Sequence, residues 1–327
     1  MKRFIALLTL FVVLISGCSF FKKDPQKAVQ EGVLSFSDVK KLNSKMTISG
    51  TIQAPQGEKP SKVRFTLVAS GTSDMSDAQS PKVDMKFELS ASLDDQGGSG
   101  VILFRTIDKK MFINLQKLEI PGEAGASLSK QLASVFNTWW SLPQGEKAPF
   151  EKLADQQKDL KEKLKANTLF VNPVESGEEE VFGVQSVKYR TELSKDSLKK
   201  IIVDLARITG NQFNAEEEAA LIDSLNDVEF SGAVWIGDDD LLHRLAGTIS
   251  VQPKQGPSSS FDVDYSAGDF GKNVEIAAPE SSKEFNPLVM LPLIGAFGSL
   301  NQTAPAGGSS TGPIDSPLGA EQVAPKK

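Results

Sequence analysis

The thiol and the imidazole, the side chains most versatile as nucleophiles, bases and metal ligands, each occur once in this chain. They are Cys18 and His243. A lone cysteine cannot form an internal disulfide, so no covalent staple supports the fold. Zinc sites and Ser-His-Asp or Cys-His nucleophilic sites use histidine and cysteine in combination. Here the one histidine sits in "LLHRLAG", beside Arg244, in a stretch that reads as a strand, where a packed or solvated ring is expected. No Walker loop, GxGxxG or HExxH is present, and no pair of acids is singled out for glycosidase work. The residue inventory therefore points away from an enzyme and calls for no cofactor or metal. The net charge of −6 argues against nucleic acid as a partner, because phosphate backbones repel an acidic surface.

Cys18 has a context. Lys2 and Arg3 form a basic n-region, residues 5–15 an apolar run, and Ser16 and Gly17 a small-residue step before the thiol. The run is too short to span a bilayer, which takes about 20 residues as a helix, and the layout is that of a secretory signal peptide. Ile15-Ser16-Gly17-Cys18 resembles the bacterial lipobox, with isoleucine where leucine is commoner. The resemblance implies cleavage between Gly17 and Cys18, diacylglycerol on the Cys18 sulfur and a further acyl chain on the new amino group. Several chains anchor firmly where one does not, at about 0.8 kcal/mol per buried methylene. The protein is then expected at a bacterial membrane, its body outside the cytoplasm. Ser19, being other than Asp, would imply outer-membrane delivery in bacteria that sort by this position. Lys22 and Lys23, beside the anchor, could touch lipid phosphate.

The body reads as alternating blocks. "DPQKAVQEGVLSFSDVKKLNS" reads as a helix, with Asp24 as cap and Pro25 at its first position. "MTISGTIQA", "KVRFTLVA" and "KVDMKFELSASLDD" then alternate apolar and polar residues with a period of two, as half-buried antiparallel strands do. "DDQGGSG" reads as a turn, and "GVILFRTIDKKMFINLQKL" as a hairpin with Asp108-Lys109 near its tip. The middle, 123–168, reads as helical, with "SLSKQLASVFNTWWSLP" placing Leu128, Leu132, Val135, Phe136 and Trp139 at helical spacing up to Pro143. Strands return in "NTLFVNPV" and "VFGVQSVKYRTELS". Two further helices follow, the first stopped by Gly210, the second opened by Asn214 with Glu217 three residues on. "VEFSGAVWIG", "LLHRLAGTISVQP", "SSSFDVDYSA" and "KNVEIAAP" read as closing strands.

This order resembles the lipoprotein carriers of the LolA/LolB kind and the LppX/LprG lipoproteins. The likeness is carried by "GAVWIGDDDLLHRLAGTISV", "FDVDYSAGDFGKNVEIAAPESSKEF" and "KLNSKMTISGTIQA". It implies an α+β fold, a strongly curved antiparallel sheet (an incomplete β-barrel) wrapped around several helices, with an apolar concavity and no catalytic signature. The organisation expected is a leader over 1–17, a lipidated tether over 18–23, one domain over 24–286, and a 287–327 tail. That tail has an apolar stretch, 287–300, followed by Gly/Ser/Pro-rich sequence whose composition predicts disorder. If the concavity is open, it would take a hydrophobic, lipid-like ligand, with Phe65, Leu67, Phe87, Leu89, Phe104, Phe112, Trp235 and Phe261 as inward residues. If helices fill it, the same residues are core and the protein is an envelope scaffold acting through protein contacts. Sequence does not separate the two.

Overall fold

In the computed structural model, the residues described are 23–54, 61–77, 79–93, 96–142, 153–208, 214–252 and 258–286. The leader with Cys18, the stops expected at Pro143 and Gly210, and the 287–327 tail lie outside them. The fold is α+β, a single unclosed sheet of twelve strands in the order β12-β6-β5-β4-β3-β2-β1-β11-β10-β9-β8-β7. The strands are β1 Lys41–Ala54, β2 Ser61–Asp74, β3 Lys82–Leu93, β4 Gln96–Ile107, β5 Lys110–Glu119, β6 Trp139–Leu142, β7 Phe170–Val181, β8 Val184–Leu193, β9 Val228–Gly237, β10 Leu242–Val251, β11 Ser259–Gly268 and β12 Lys283–Glu284. All pair antiparallel except β12, which runs parallel to β6. The helices are α1 Pro25–Phe36, α2 Gly122–Gln131, α3 Leu153–Ala166, α4 Lys195–Ile208 and α5 Ala215–Ser224. None of the described helices is long and apolar enough to cross a membrane.

Local signals explain most of these elements. Asp24 caps α1 by accepting from the Lys27 N–H at 3.0 Å, with Pro25 at the first position, where its missing N–H costs nothing. The expected capping box on α5 forms: Asn214 accepts from the backbone of Glu216 and Glu217, and the Glu217 carboxylate accepts from the Asn214 N–H. Asp108 and Lys109 turn the β4–β5 hairpin with φ of 50° and 60°, the left-handed pair that a two-residue hairpin demands.

Four expectations are corrected. First, α1 stops at Phe36 rather than running on through the lysines. Ser37 and Asp38 bond back three residues to Leu34 and Ser35, and the Ser37 hydroxyl also takes the Leu34 carbonyl, so the last turn tightens and ends. Second, Trp139 and Trp140 belong to strand β6, not to a helix. Asn137 adopts φ 56° and donates its N–H to Leu115 O, which hands the tryptophans to the free edge of β5. Third, Gln96 to Gly100 continue strand β4 rather than forming a turn.

Fourth, "KNVEIAAP" is no strand. Strand β11 is already flanked by β1 and β10, so the chain leaving it finds no free edge beside it. It turns at Asp269 (φ 55°) and Gly271 (φ 70°) and crosses the strand ends as a strap. Asn43 donates to Asp269, Lys41 to Asn273, Arg105 to Ala277 O and Ser141 to Lys283 O, tying the strap until β12 joins the far edge at β6.

Candidate functional site

The strand register sorts side chains onto two faces, since directly paired residues point the same way. On one face, cross-strand rows read Ile52–Val63–Leu93, Ile48–Leu67–Leu89–Gly100 and Met46–Ala69–Phe87–Ile102–Leu115. A fourth row runs Phe261–Gly50–Phe65–Ala91–Gly98. Phe104 follows on the same face between Met85 and Ile113. The other face of these strands carries Lys86, Glu88, Arg64, Thr66, Thr47, Ser49, Asp262 and Asp264. Alternation in sequence has thus become one continuous apolar surface.

Its two wings are covered. Over β7 to β10, α1 places Ala28 and the fully buried Val29 in one core cluster with Val234, Ile236, Phe170 and Phe230. Gly32 makes this contact possible, because a Cβ there would stand 2.6 Å from Ile236 Cδ1. Over β5 and β6, α2 and the turn after it lay Leu128, Leu132 and Val135 against Trp140, Ile113 and Leu115. Gly50 does similar work in the middle of the sheet. The Phe65 and Phe261 rings, 5.9 Å apart, close over the space its missing side chain leaves, with Phe261 Cδ1 2.6 Å from where a Cβ would lie.

Between the wings, among the described residues, no helix covers the face. Leu89 is 50 % exposed, Leu93 43 %, Ile52 38 % and Ile102 36 %, and all four point to this one side. Burial is graded along the strands. At the ends bearing the strap, Ala69, Thr106, Pro81 and Ala267 are buried, and Tyr265 is buried enough that its phenol is pushed up to about 12. At the opposite ends, Leu93 and Ile52 stand in the open. Exposure along this apolar trough thus rises from the strap end to the opposite end.

Six of the eight residues picked from the sequence share this face: Phe65, Leu67, Phe87, Leu89, Phe104 and Phe261. Phe112 and Trp235 do not, which corrects the expectation that they point inward. Phe112 pairs with Arg105 and Ser141 on the polar side and is buried there. Trp235 lies on the polar side between two cations, Lys188 at 4.9 Å and Arg244 at 4.7 Å from its ring centre. Its indole N–H donates to Glu179 at 2.9 Å. Arg244 donates to both oxygens of Asp264 and to Glu179, and its hydrogen bonds to Asp264 first of all raise its pKa. Hydrophobic type suggested the wrong side for these two, because strand parity in β9 and β5 assigns the inward positions to their neighbours, Val234 and Ile113. The sequence reading also passed over Ile52, Val63, Leu93 and Ile102, which line the open end. Their signal was present in the period-two pattern.

His243 is the extra residue of a bulge in β10 and is 1 % exposed. Its Nε2 lies 3.0 and 3.1 Å from the two Asp239 oxygens, and its ring packs 4.7 Å from Phe270. No serine, threonine or cysteine joins this pair in those contacts, so the arrangement packs and ties the β9–β10 turn.

No family model matches the chain, and no curated protein matches it. Among solved structures it is similar to LprF from Mycobacterium bovis, with TM-score 0.40 and 11 % identity over 78 % of this chain and 96 % of that one. It is also similar to the lipoprotein LppX from Mycobacterium tuberculosis, with TM-score 0.33 and 12 % identity over 78 % of this chain and 100 % of that one. A LolA superfamily protein from Nitrosomonas europaea matches at TM-score 0.14 and 10 % identity over 75 % and 94 %. These are of the kinds the sequence resembles.

Proposed function

We propose that this chain is a lipid-anchored extracytoplasmic protein that binds a hydrophobic, lipid-like ligand on the open section of its apolar sheet face. One observation carries the reading: Ile52, Leu89, Leu93 and Ile102, each more than a third exposed, lie together on a face whose wings are already occupied by helices. A folded protein rarely leaves contiguous large apolar side chains in water without a use for them. The rows behind them supply Phe65, Leu67, Phe87, Phe104 and Phe261, and no charged residue stands in these rows. Such a lining selects for acyl or polyisoprenoid character rather than for a polar head. Each ligand methylene taken out of water contributes about 0.8 kcal/mol, before the cost of ordering the chain is subtracted.

Anchoring rests on Cys18 and its leader, with cleavage between Gly17 and Cys18. No cofactor enters, and the reading is that of a binder or carrier rather than an enzyme. The test is native mass spectrometry of the full chain extracted gently from its host. The expected result is a Cys18-linked lipid and, separately, a non-covalent acyl species released on denaturation. A bare thiol would overturn the anchor, and a protein free of any lipid-like adduct would overturn the ligand. In a parallel strain, Cys18→Ala is expected to move the protein out of the membrane fraction.

A further inference from the structure

The described chain leaves the fold beside the apolar face. β12 pairs along the β6 edge, and the Phe285 N–H donates to Ser141 O at 2.9 Å. The Phe285 side chain packs into the cluster that Leu128, Leu132 and Val135 form with Trp140. The sequence that follows is unlike the body. From Phe285 to Ile314 no residue is charged, and 287–300 reads "PLVMLPLIGAFGSL". These fourteen residues lie outside those described. The run is too short to cross a bilayer, which takes about 20 residues, and Pro292 interrupts it. It also lacks the lysines and arginines with which an interfacial helix holds anionic headgroups.

An uncharged apolar surface lies within reach. Leu89, Leu93, Ile52 and Ile102 are each more than a third exposed, in rows that hold no charged residue. Ser141 is level with Phe112, Arg105 and Asp84, so β3 lies three strands from the exit, about 14 Å at roughly 4.8 Å per strand. Leu89 stands five residues along β3 from Asp84, about 17 Å at roughly 3.3 Å each, which makes the straight path about 22 Å. β12 runs toward the strap end, so the chain must first double back, and Asn286-Pro287 is a dipeptide that favours a turn. From Phe285 to Ile294 is nine residues, an extended reach of about 30 Å, and to Phe297 twelve, about 40 Å. Leu89 falls within the first and Leu93 within the second. A segment tethered this closely meets the face at an effective concentration on the order of millimolar, with no second molecule needed.

We propose that residues 287–300 of the same chain cover the exposed section of the apolar face, with Ile294 and Phe297 over Leu89 and Leu93. The cover rests on the exposed face and on where the chain leaves the fold, not on the anchor or on a ligand. The test uses the full chain with Ile294→p-benzoylphenylalanine, irradiated in dilute solution with phosphatidylcholine vesicles present, and the crosslinked residue is located by mass spectrometry. The expected crosslinks are intramolecular, to Leu67, Leu89, Ala91 or Leu93. Adding Leu89→Asp is expected to lower their yield at least tenfold, while Ser90→Asp leaves it unchanged. Crosslinks to Lys86 or Glu88 on the polar face, to a second copy of the chain, to the phospholipid, or to nothing overturn the proposal, as does an equal yield in the two charged variants. Oleate, added last, separates this inference from the ligand reading. A fall in the intramolecular yield of at least fivefold supports both, since segment and acyl chain then compete for one face. A yield that oleate leaves unchanged supports the cover and overturns the assignment of the ligand to this face.

Discussion

Leu89 offers a direct way to test the trough, because half of its surface already faces water. Full burial of a leucine side chain is worth about 1.5–3 kcal/mol, so a ligand covering the exposed half gains about 0.8–1.5 kcal/mol from it. Truncation in Leu89→Ala should therefore weaken binding roughly four- to twelvefold, at about 1.4 kcal/mol per factor of ten. The free protein should lose little, about 1 kcal/mol, because the removed atoms are those least packed. Leu89→Asp goes further: an unpaired carboxylate beneath a bound acyl chain costs several kcal/mol, and affinity should drop more than about a hundredfold. Ser90→Asp, one residue on, adds the same charge to the polar face beside Thr66 and Ser99 and should leave binding unchanged. Titration of a fluorescent fatty acid into the three variants, with urea melts of each, measures both quantities. Equal affinity of wild type, Leu89→Ala and Leu89→Asp would refute the assignment of the ligand to this face.

Three further outcomes follow from the packing. Gly32→Val should destabilise the fold by about 1–3 kcal/mol in urea melts, because the new side chain meets Ile236 where only hydrogen fits. Asn214→Ala should cost about 1 kcal/mol locally. Because α5 contains no buried residue among those described, the loss should appear as faster hydrogen exchange over 215–224 and not as a lower melting temperature. The phenol of Tyr265, pushed up to about 12 by burial, binds its proton more tightly in the folded chain than in the unfolded one, where it titrates near 10. Stability from this group is therefore complete below about pH 10 and is lost as pH rises from there toward 12, by about 2–3 kcal/mol. Absorbance titration of a Tyr189→Phe variant, which leaves one tyrosine, isolates the group; ionisation near pH 10 would show the ring to be solvated.

Much of the fold was legible because its signals are local. Period-two alternation in "KVDMKFELSASL" marks a strand wherever that strand ends up, and Asp24, Asn214 with Glu217, and Asp108-Lys109 act on backbone groups within four residues of themselves. The lipobox resemblance of Ile15-Ser16-Gly17-Cys18 is local in the same way, and the anchor proposed from it is for the mass spectrum to test.

What needed the folded chain was every choice between partners distant in sequence. Trp139 fits a helical stripe until β5 offers an edge, and Val274 and Ile276 alternate like a strand until β11 turns out to have both neighbours already. Whether Trp235 faces a ligand or a pair of cations depends on the register of β9 against β8 and β10, where one residue of slip exchanges the faces. The openness of the trough is of the same kind. Apolar side chains look alike in sequence whether helices cover them or not, and only the placement of α1 and α2 over the wings leaves Ile52, Leu89, Leu93 and Ile102 in water. Burial is a property of what arrives from elsewhere in the chain, and no single stretch encodes it.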